Sequence, residues 1–182
     1  MKKILYILIV VVFASCSKGY NEDYAVGKND KENQEKEQQA KIDTSLMKVN
    51  EVMMQKEINR INAYMSRRGW KMQNYSGVFV QITKRGQGPM INDKNTVTIE
   101  YECGLLNGDN VYSSKDNGKK VFRVGGDTQV EKGLMIAMKL LNKSSQANII
   151  IPSNLAYGMN GDGEKIPASN PIVYKVKVIE VK

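Results

Sequence analysis

Beyond Gly69 the sequence breaks into short alternating apolar runs, and only one helical pattern interrupts them. Alternation at period two marks half-buried strands, and the Gly, Asn, Asp and Pro between the runs mark turns. Val78, Val80 and Ile82 alternate in the first run, and Gly86-Gln-Gly-Pro89 turns it. Val97, Ile99, Tyr101 and Cys103 share one face of the next, with Thr98, Glu100 and Glu102 opposite. That arrangement suits an antiparallel sheet with one wet side, and it makes Cys103 a structural residue rather than a reactive thiol. Further strands are expected over 121–124, 147–151 and 172–181, the last with Tyr174, Val176 and Val178 on one face and Lys175 and Lys177 on the other. The helix is expected over 130–141, where Val130, Leu134, Ala137, Met138 and Leu141 fall on one side. One amphipathic helix among antiparallel strands predicts an α+β domain, a curled sheet wrapped on that helix.

The start of the chain has a different logic. Lys2 and Lys3 precede an apolar run from Ile4 to Phe13, then small residues and Cys16, the order of a secretory signal. The run is about ten residues, too short to span a bilayer. Phe13-Ala14-Ser15-Cys16 puts a thiol where lipoprotein processing uses one, so residues 1–15 read as a signal peptide and Cys16 as the lipidated first residue of the mature chain. The alternatives are ordinary secretion and an uncleaved anchor. Ser17 does not resemble an inner-membrane retention signal, which points to the outer rather than the inner membrane. Residues 16–42 are rich in Lys, Glu, Gln and Asn and nearly lack large aliphatics, so they are expected to form a flexible tether, or else a solvated helix with charged i,i+4 pairs. Over 43–70 a helical extension is expected, with Met47, Met54, Ile58, Ile61 and Met65 at steps of 7, 4, 3 and 4. Asp43, Thr44 or Ser45 would cap its start and Gly69 would end it. Its apolar face over 44–68 would pack on the domain or on a second copy, giving a homodimer, or would contact clients.

Composition excludes several classes. The formal charge is +8, but the 27 Lys and Arg are spread along the chain with no basic run interleaved with aromatics, so nucleic-acid binding is not expected. With Cys16 lipidated, Cys103 is the one thiol left and no intramolecular disulfide can form. There is no histidine, which removes His-based acid–base chemistry, Ser-His-Asp and Cys-His systems and most zinc sites. No metal or cofactor is expected.

Thr96 to Leu106, Gly108-Asp-Asn-Val-Tyr-Ser-Ser-Lys-Asp116, Val130-Glu-Lys-Gly-Leu134, Ile151-Pro-Ser-Asn-Leu-Ala-Tyr-Gly158 and Ile166-Pro167, taken in that order, resemble the FKBP family of peptidyl-prolyl cis/trans isomerases. The resemblance covers residues 77–182. With the extension and signal in front, the chain is similar to the lipoprotein members associated with gliding bacteria.

The resemblance implies a shallow apolar pocket between sheet and helix that accepts a proline side chain. Rotation about an X-Pro bond has a barrier of about 20 kcal/mol because amide resonance must be lost. No bond breaks, so a protein without histidine can accelerate it by holding the proline ring in a dry pocket that favours the less polar, twisted amide. By matching position, Tyr157 is implied to give its hydroxyl to a substrate carbonyl, and Glu131 its backbone N–H, with Tyr101 beside them. Val111, Tyr112, Val121, Val130, Leu134, Ile166 and Tyr174 are implied to line the pocket. Val111 and Val121 stand where aromatics are common, Leu134 where tryptophan is usual, Tyr112 where an aspartate often accepts from the residue matching Tyr101, and Glu131 where isoleucine is usual, its charge expected at the rim. These departures predict a wider or shallower pocket. The implied function is therefore an isomerase assisting the folding of exported or surface proteins, acting on proline-containing polypeptides. Its rival is a catalytically weak binding module, chaperone or assembly component on the same fold.

Overall fold

The computed structural model describes the backbone over residues 22–182 and side chains over 33–182. The proposed signal peptide and Cys16 lie outside these residues. In chain order the elements are α1 (Glu22–Arg68), β1 (Gln73–Tyr75), β2 (Val78–Lys84), β3 (Gln87–Met90), β4 (Thr96–Leu105), β5 (Asn110–Ser113), α2 (Ser114–Asn117), β6 (Lys120–Arg123), α3 (Lys132–Met138), β7 (Asn142–Lys143), β8 (Gln146–Ile151), a 3-10 turn (Ser153–Leu155) and β9 (Ile172–Val181). The main antiparallel sheet has the order β1-β2-β8-β9-β4-β5, with β6 also paired to β4, and β3 pairs β7 separately. The segment expected only to turn at Gly86-Gln-Gly-Pro89 thus supplies most of a short strand. Among the described residues no helix is long and apolar enough to cross a membrane.

The chain divides into two compact units, up to Lys48 and from Val49 to Lys182. The described part of the first is helical from Glu22, which corrects the flexible form expected through residue 42 and matches the alternative of a solvated helix with charged i,i+4 pairs. The cause is local: Lys, Glu, Gln and Ala are good helix formers, and Lys41–Glu37 and Gln39–Asp43 pair at 2.9 Å across one turn. Thr44 and Ser45, read as helix caps, instead lie inside α1 and donate their hydroxyls to the carbonyls of Ala40 and Lys41.

In the second unit, α1 stops at Arg68 because Gly69 takes φ +64 and the Trp70 N–H donates back to the Met65 carbonyl at 3.0 Å. Ile61 and Tyr64 are buried against Phe79, Ile150 and Val173 on one side of the sheet. The other side carries the larger core: Val97, Ile99, Tyr101 and Cys103 of β4, and Tyr174, Val176 and Val178 of β9, pack with Leu134, Ala137 and Met138 of α3. The period-two assignments of β4 and β9 therefore hold. Glu100 pairs with Lys119 and Lys177, and Glu102 with Lys175, on the wet side. The helix expected over 130–141 is shorter. Its first turn is lost because Glu131 takes an extended ψ of 132° as N-cap, turning its side chain inward while its carbonyl accepts from the N–H groups of Leu134 and Met135.

Candidate functional site

Where α3 meets the sheet, Tyr101 of β4 and Tyr174 of β9 face each other with ring centroids 5.8 Å apart. Leu134, fully buried, lies in the same cluster, and Ile166 is 2% exposed there. Val111 and Tyr112 of β5, Val130 before α3, and Tyr157 pack against it, half-buried. All but one of the residues implied to form the pocket thus belong to the larger core cluster or touch one of its members.

The exception is Val121, which is 61% exposed. Phe122 of β6 and Val124 just past its end are core residues, so alternation sends Val121 out and Lys120 in. Lys120 is not among the residues implied at the site by the resemblance. Its ammonium stands 5.6 Å from the ring centres of both Tyr101 and Tyr174 and donates to the Tyr174 hydroxyl at 3.2 Å. The signal that could have found it is the period of two running back from Val124.

Tyr157 is placed by a tight local frame. Pro152 precedes the 3-10 turn, and the N–H of Gly158, at φ +63, closes onto the Ser153 carbonyl at 2.7 Å. Glu57 of α1 holds the start of this turn, accepting from both the N–H and the hydroxyl of Ser153 at 2.6 Å.

Glu131 does not sit at the rim with its charge in water, as the sequence reading had it. Its side chain is 2% exposed. Oε1 accepts from the Tyr157 hydroxyl at 2.6 Å and from the Tyr174 hydroxyl at 2.8 Å, and Lys120 Nζ lies 3.4 Å from both carboxylate oxygens. A buried carboxylate is tolerable when it is paired and its lone pairs are satisfied, and these three donors do both. Burial, then the nearby Glu131 charge, pushes the Tyr157 and Tyr174 hydroxyls above their ordinary values, so both keep their protons as donors. The Cys103 thiol is pushed up to about 12, by burial first and the Glu131 carboxylate second, which suits a core residue. The Glu131 N–H donates to no other described residue.

Tyr112 does not meet Tyr101 as an acceptor. Its hydroxyl donates to Asp162 at 2.5 Å, and the Lys165 ammonium sits 5.3 Å from its ring centre. Asp162 also accepts from the N–H groups of Ile166 at 2.8 Å and Glu164 at 2.9 Å, which fixes the loop carrying Ile166. Burial would raise Asp162, but the Tyr112 hydroxyl and these N–H groups outweigh it and hold the carboxyl below its ordinary value.

A cavity of about 140 Å³ is lined by Tyr64, Arg68, Glu102, Asp109 and Lys175 on the other side of the sheet. It includes none of the implied site residues.

Comparison with known proteins agrees with the geometry. The sequence pattern of the FKBP-type peptidyl-prolyl cis-trans isomerases matches residues 88–179. A probable FKBP-type peptidyl-prolyl cis-trans isomerase FkpA of Neisseria meningitidis is 38% identical over 107 residues, covering 58% of this chain and 38% of that protein. FkpA of Escherichia coli is 30% identical over 108 residues, covering 59% and 38%. The chain thus spans well under half the length of these relatives. The crystal structure of Escherichia coli FkpA superposes with a TM-score of 0.58 at 25% identity, covering 82% of this chain and 72% of that one. A peptidyl-prolyl cis-trans isomerase of Pseudomonas syringae gives a TM-score of 0.61 at 22% identity over 72% and 95%, a likeness of fold. With half its length matched by the family pattern and the sheet-and-helix site in place, the chain belongs to the family of FKBP-type peptidyl-prolyl cis-trans isomerases.

Proposed function

We propose that this chain is a peptidyl-prolyl cis/trans isomerase that assists the folding of exported or surface proteins from a bacterial membrane, held there by lipid on Cys16. The observation that supports the activity most directly is that two donors stand on residues in contact: the Tyr157 hydroxyl, 2.6 Å from the Glu131 carboxylate, and the Glu131 N–H, which has no partner among the described residues. A carbonyl next to proline would take these donors while the ring enters between Tyr101, Leu134, Ile166 and Tyr174. Excluding water there favours the twisted amide, and each 1.4 kcal/mol of that preference is about tenfold in rate. The test is proline isomerisation in a short peptide by the mature chain beside Tyr157→Phe. The substitution is expected to lower kcat/KM about three- to tenfold, the worth of one neutral hydrogen bond; a wild-type rate equal to buffer would sink the enzyme reading.

A second reading, a binding module on the same fold with little rate acceleration, is favoured by the Tyr157 hydroxyl being already engaged by Glu131. It wins if that rate equals buffer while refolding yield of an exported protein still rises. Envelope localisation, at the outer rather than the inner membrane, rests on the Phe13-Ala14-Ser15-Cys16 sequence, and labelling with a fatty-acid analogue that Cys16→Ala abolishes would support it. A second copy of the chain is the proposed cover for the apolar face of α1 over 44–68, where Leu46, Val49 and Met53 follow steps of 3 and 4 and are all more than half exposed.

A further inference from the structure

The four polar groups of the pocket are tied to one another rather than held open. A phenol has one proton to donate. In Tyr157 it goes to Glu131 Oε1 at 2.6 Å, and in Tyr174 to the same oxygen at 2.8 Å. A substrate carbonyl competing for the Tyr157 proton is a neutral acceptor. The carboxylate it must displace is charged and forms a bond roughly twice as strong. Lys120 bears on what happens next. Its ammonium is equidistant, at 3.4 Å, from both oxygens of Glu131 and is about a quarter exposed. It therefore keeps the carboxylate paired after Tyr157 lets go, and it has a route toward water along its own stem.

We infer that the Glu131 side chain is an intramolecular competitor for the substrate carbonyl: it holds the Tyr157 hydroxyl until a substrate displaces it, with Lys120 retaining the displaced carboxylate. Glu131 then acts twice from one residue, its backbone N–H toward substrate and its side chain against it. The consequence is a pocket whose strength toward proline segments is held down by residue 131. The inference rests on the isomerase reading for its kinetic form, but not for its binding form.

The experiment replaces Glu131 by Ile and, separately, by Gln, and combines each with Tyr157→Phe. For every full-length variant two quantities are read: kcat/KM on a short proline peptide, and affinity for the same peptide by NMR titration. Glu131→Ile is expected to raise kcat/KM and affinity about tenfold to a hundredfold, the equilibrium equivalent of one hydrogen bond to a charged group, with most of the change in KM. Glu131→Gln, which keeps the shape but weakens the acceptor, is expected to give a smaller rise of a few-fold. In both backgrounds Tyr157→Phe is expected to remove the gain, because without the hydroxyl there is nothing to compete for. If all variants turn over at the buffer rate, the isomerase reading fails while a Tyr157-dependent rise in affinity upholds the competition. A Glu131→Gln protein with native circular dichroism whose affinity is equal to or below wild type overturns it, as does a gain that survives Tyr157→Phe.

Discussion

Asp162 fixes the loop that carries Ile166 by accepting three hydrogen bonds. It gathers the Tyr112 hydroxyl and the N–H groups of Ile166 and Glu164 into one junction, and its carboxyl is held below the ordinary 3.8. A carboxyl lowered by folding contributes stability above its unfolded pKa and loses it as pH falls through the folded one. Wild type is therefore expected to exceed Asp162→Asn in Tm at neutral pH, with the gap closing as pH drops below about 4. Paired thermal melts between pH 7 and pH 2.5 check this, and a pH-independent gap contradicts it. Single residues were unevenly legible in the sequence. Tyr101, Tyr157, Leu134 and Tyr174 could be placed because their neighbours alternate or turn in a recognisable way. Lys120 and Asp162 could not, because charged residues read as solvated until a partner is known, and neither Glu131 for Lys120 nor Tyr112 for Asp162 gave a hint of being that partner. Val121 was misplaced by choosing hydrophobicity over register.

At the scale of elements, α3 is seated by the absence of a side chain. A Cβ on Gly133 would lie 2.2 Å from Cγ2 of Ile151, whose own side chain is fully buried. Alanine gains about 1 kcal/mol of helix propensity over glycine, but overpacking at such a contact costs about 1–3 kcal/mol. The clash is expected to win, so Gly133→Ala should lower stability in chemical denaturation, and a rise would show that α3 shifts freely. Strand β4 was readable because it has one buried face with a clean period of two, whereas β8 and the start of β9 are buried on both faces, Ile150 and Val173 packing with Ile61 and Tyr64. The helix α1 was readable over 43–68, where apolar residues recur at helical steps and Ile58, Ile61 and Tyr64 meet the sheet. Over residues 33–41 every side chain is exposed and the sequence carries no apolar period, so propensity and i,i+4 pairs decide the conformation. The anchor from Glu57 to Ser153 spans 96 positions and no local pattern announces it.

For the whole molecule, the proposed self-association follows from exposed aliphatic and methionine side chains on a surface otherwise charged. A charge on the stripe should undo it: Leu46→Glu with Met53→Glu is expected to convert a dimer in sedimentation to a monomer while leaving thermal unfolding within about 0.5 kcal/mol of wild type. A monomeric wild type would contradict the proposal. The strand order has a further consequence. Strand β9 lies between β8 and β4, paired to β4 along its length and to β8 over residues 172–177. Without residues 172–181 the main sheet is two fragments, β1-β2-β8 on one side and β4 with β5 and β6 on the other, and α3 has only part of its floor. Because the closing strand follows β4 by about 70 positions, the two fragments join only through pairing across a long sequence separation, which slows folding and leaves their inner edges open until that pairing is made.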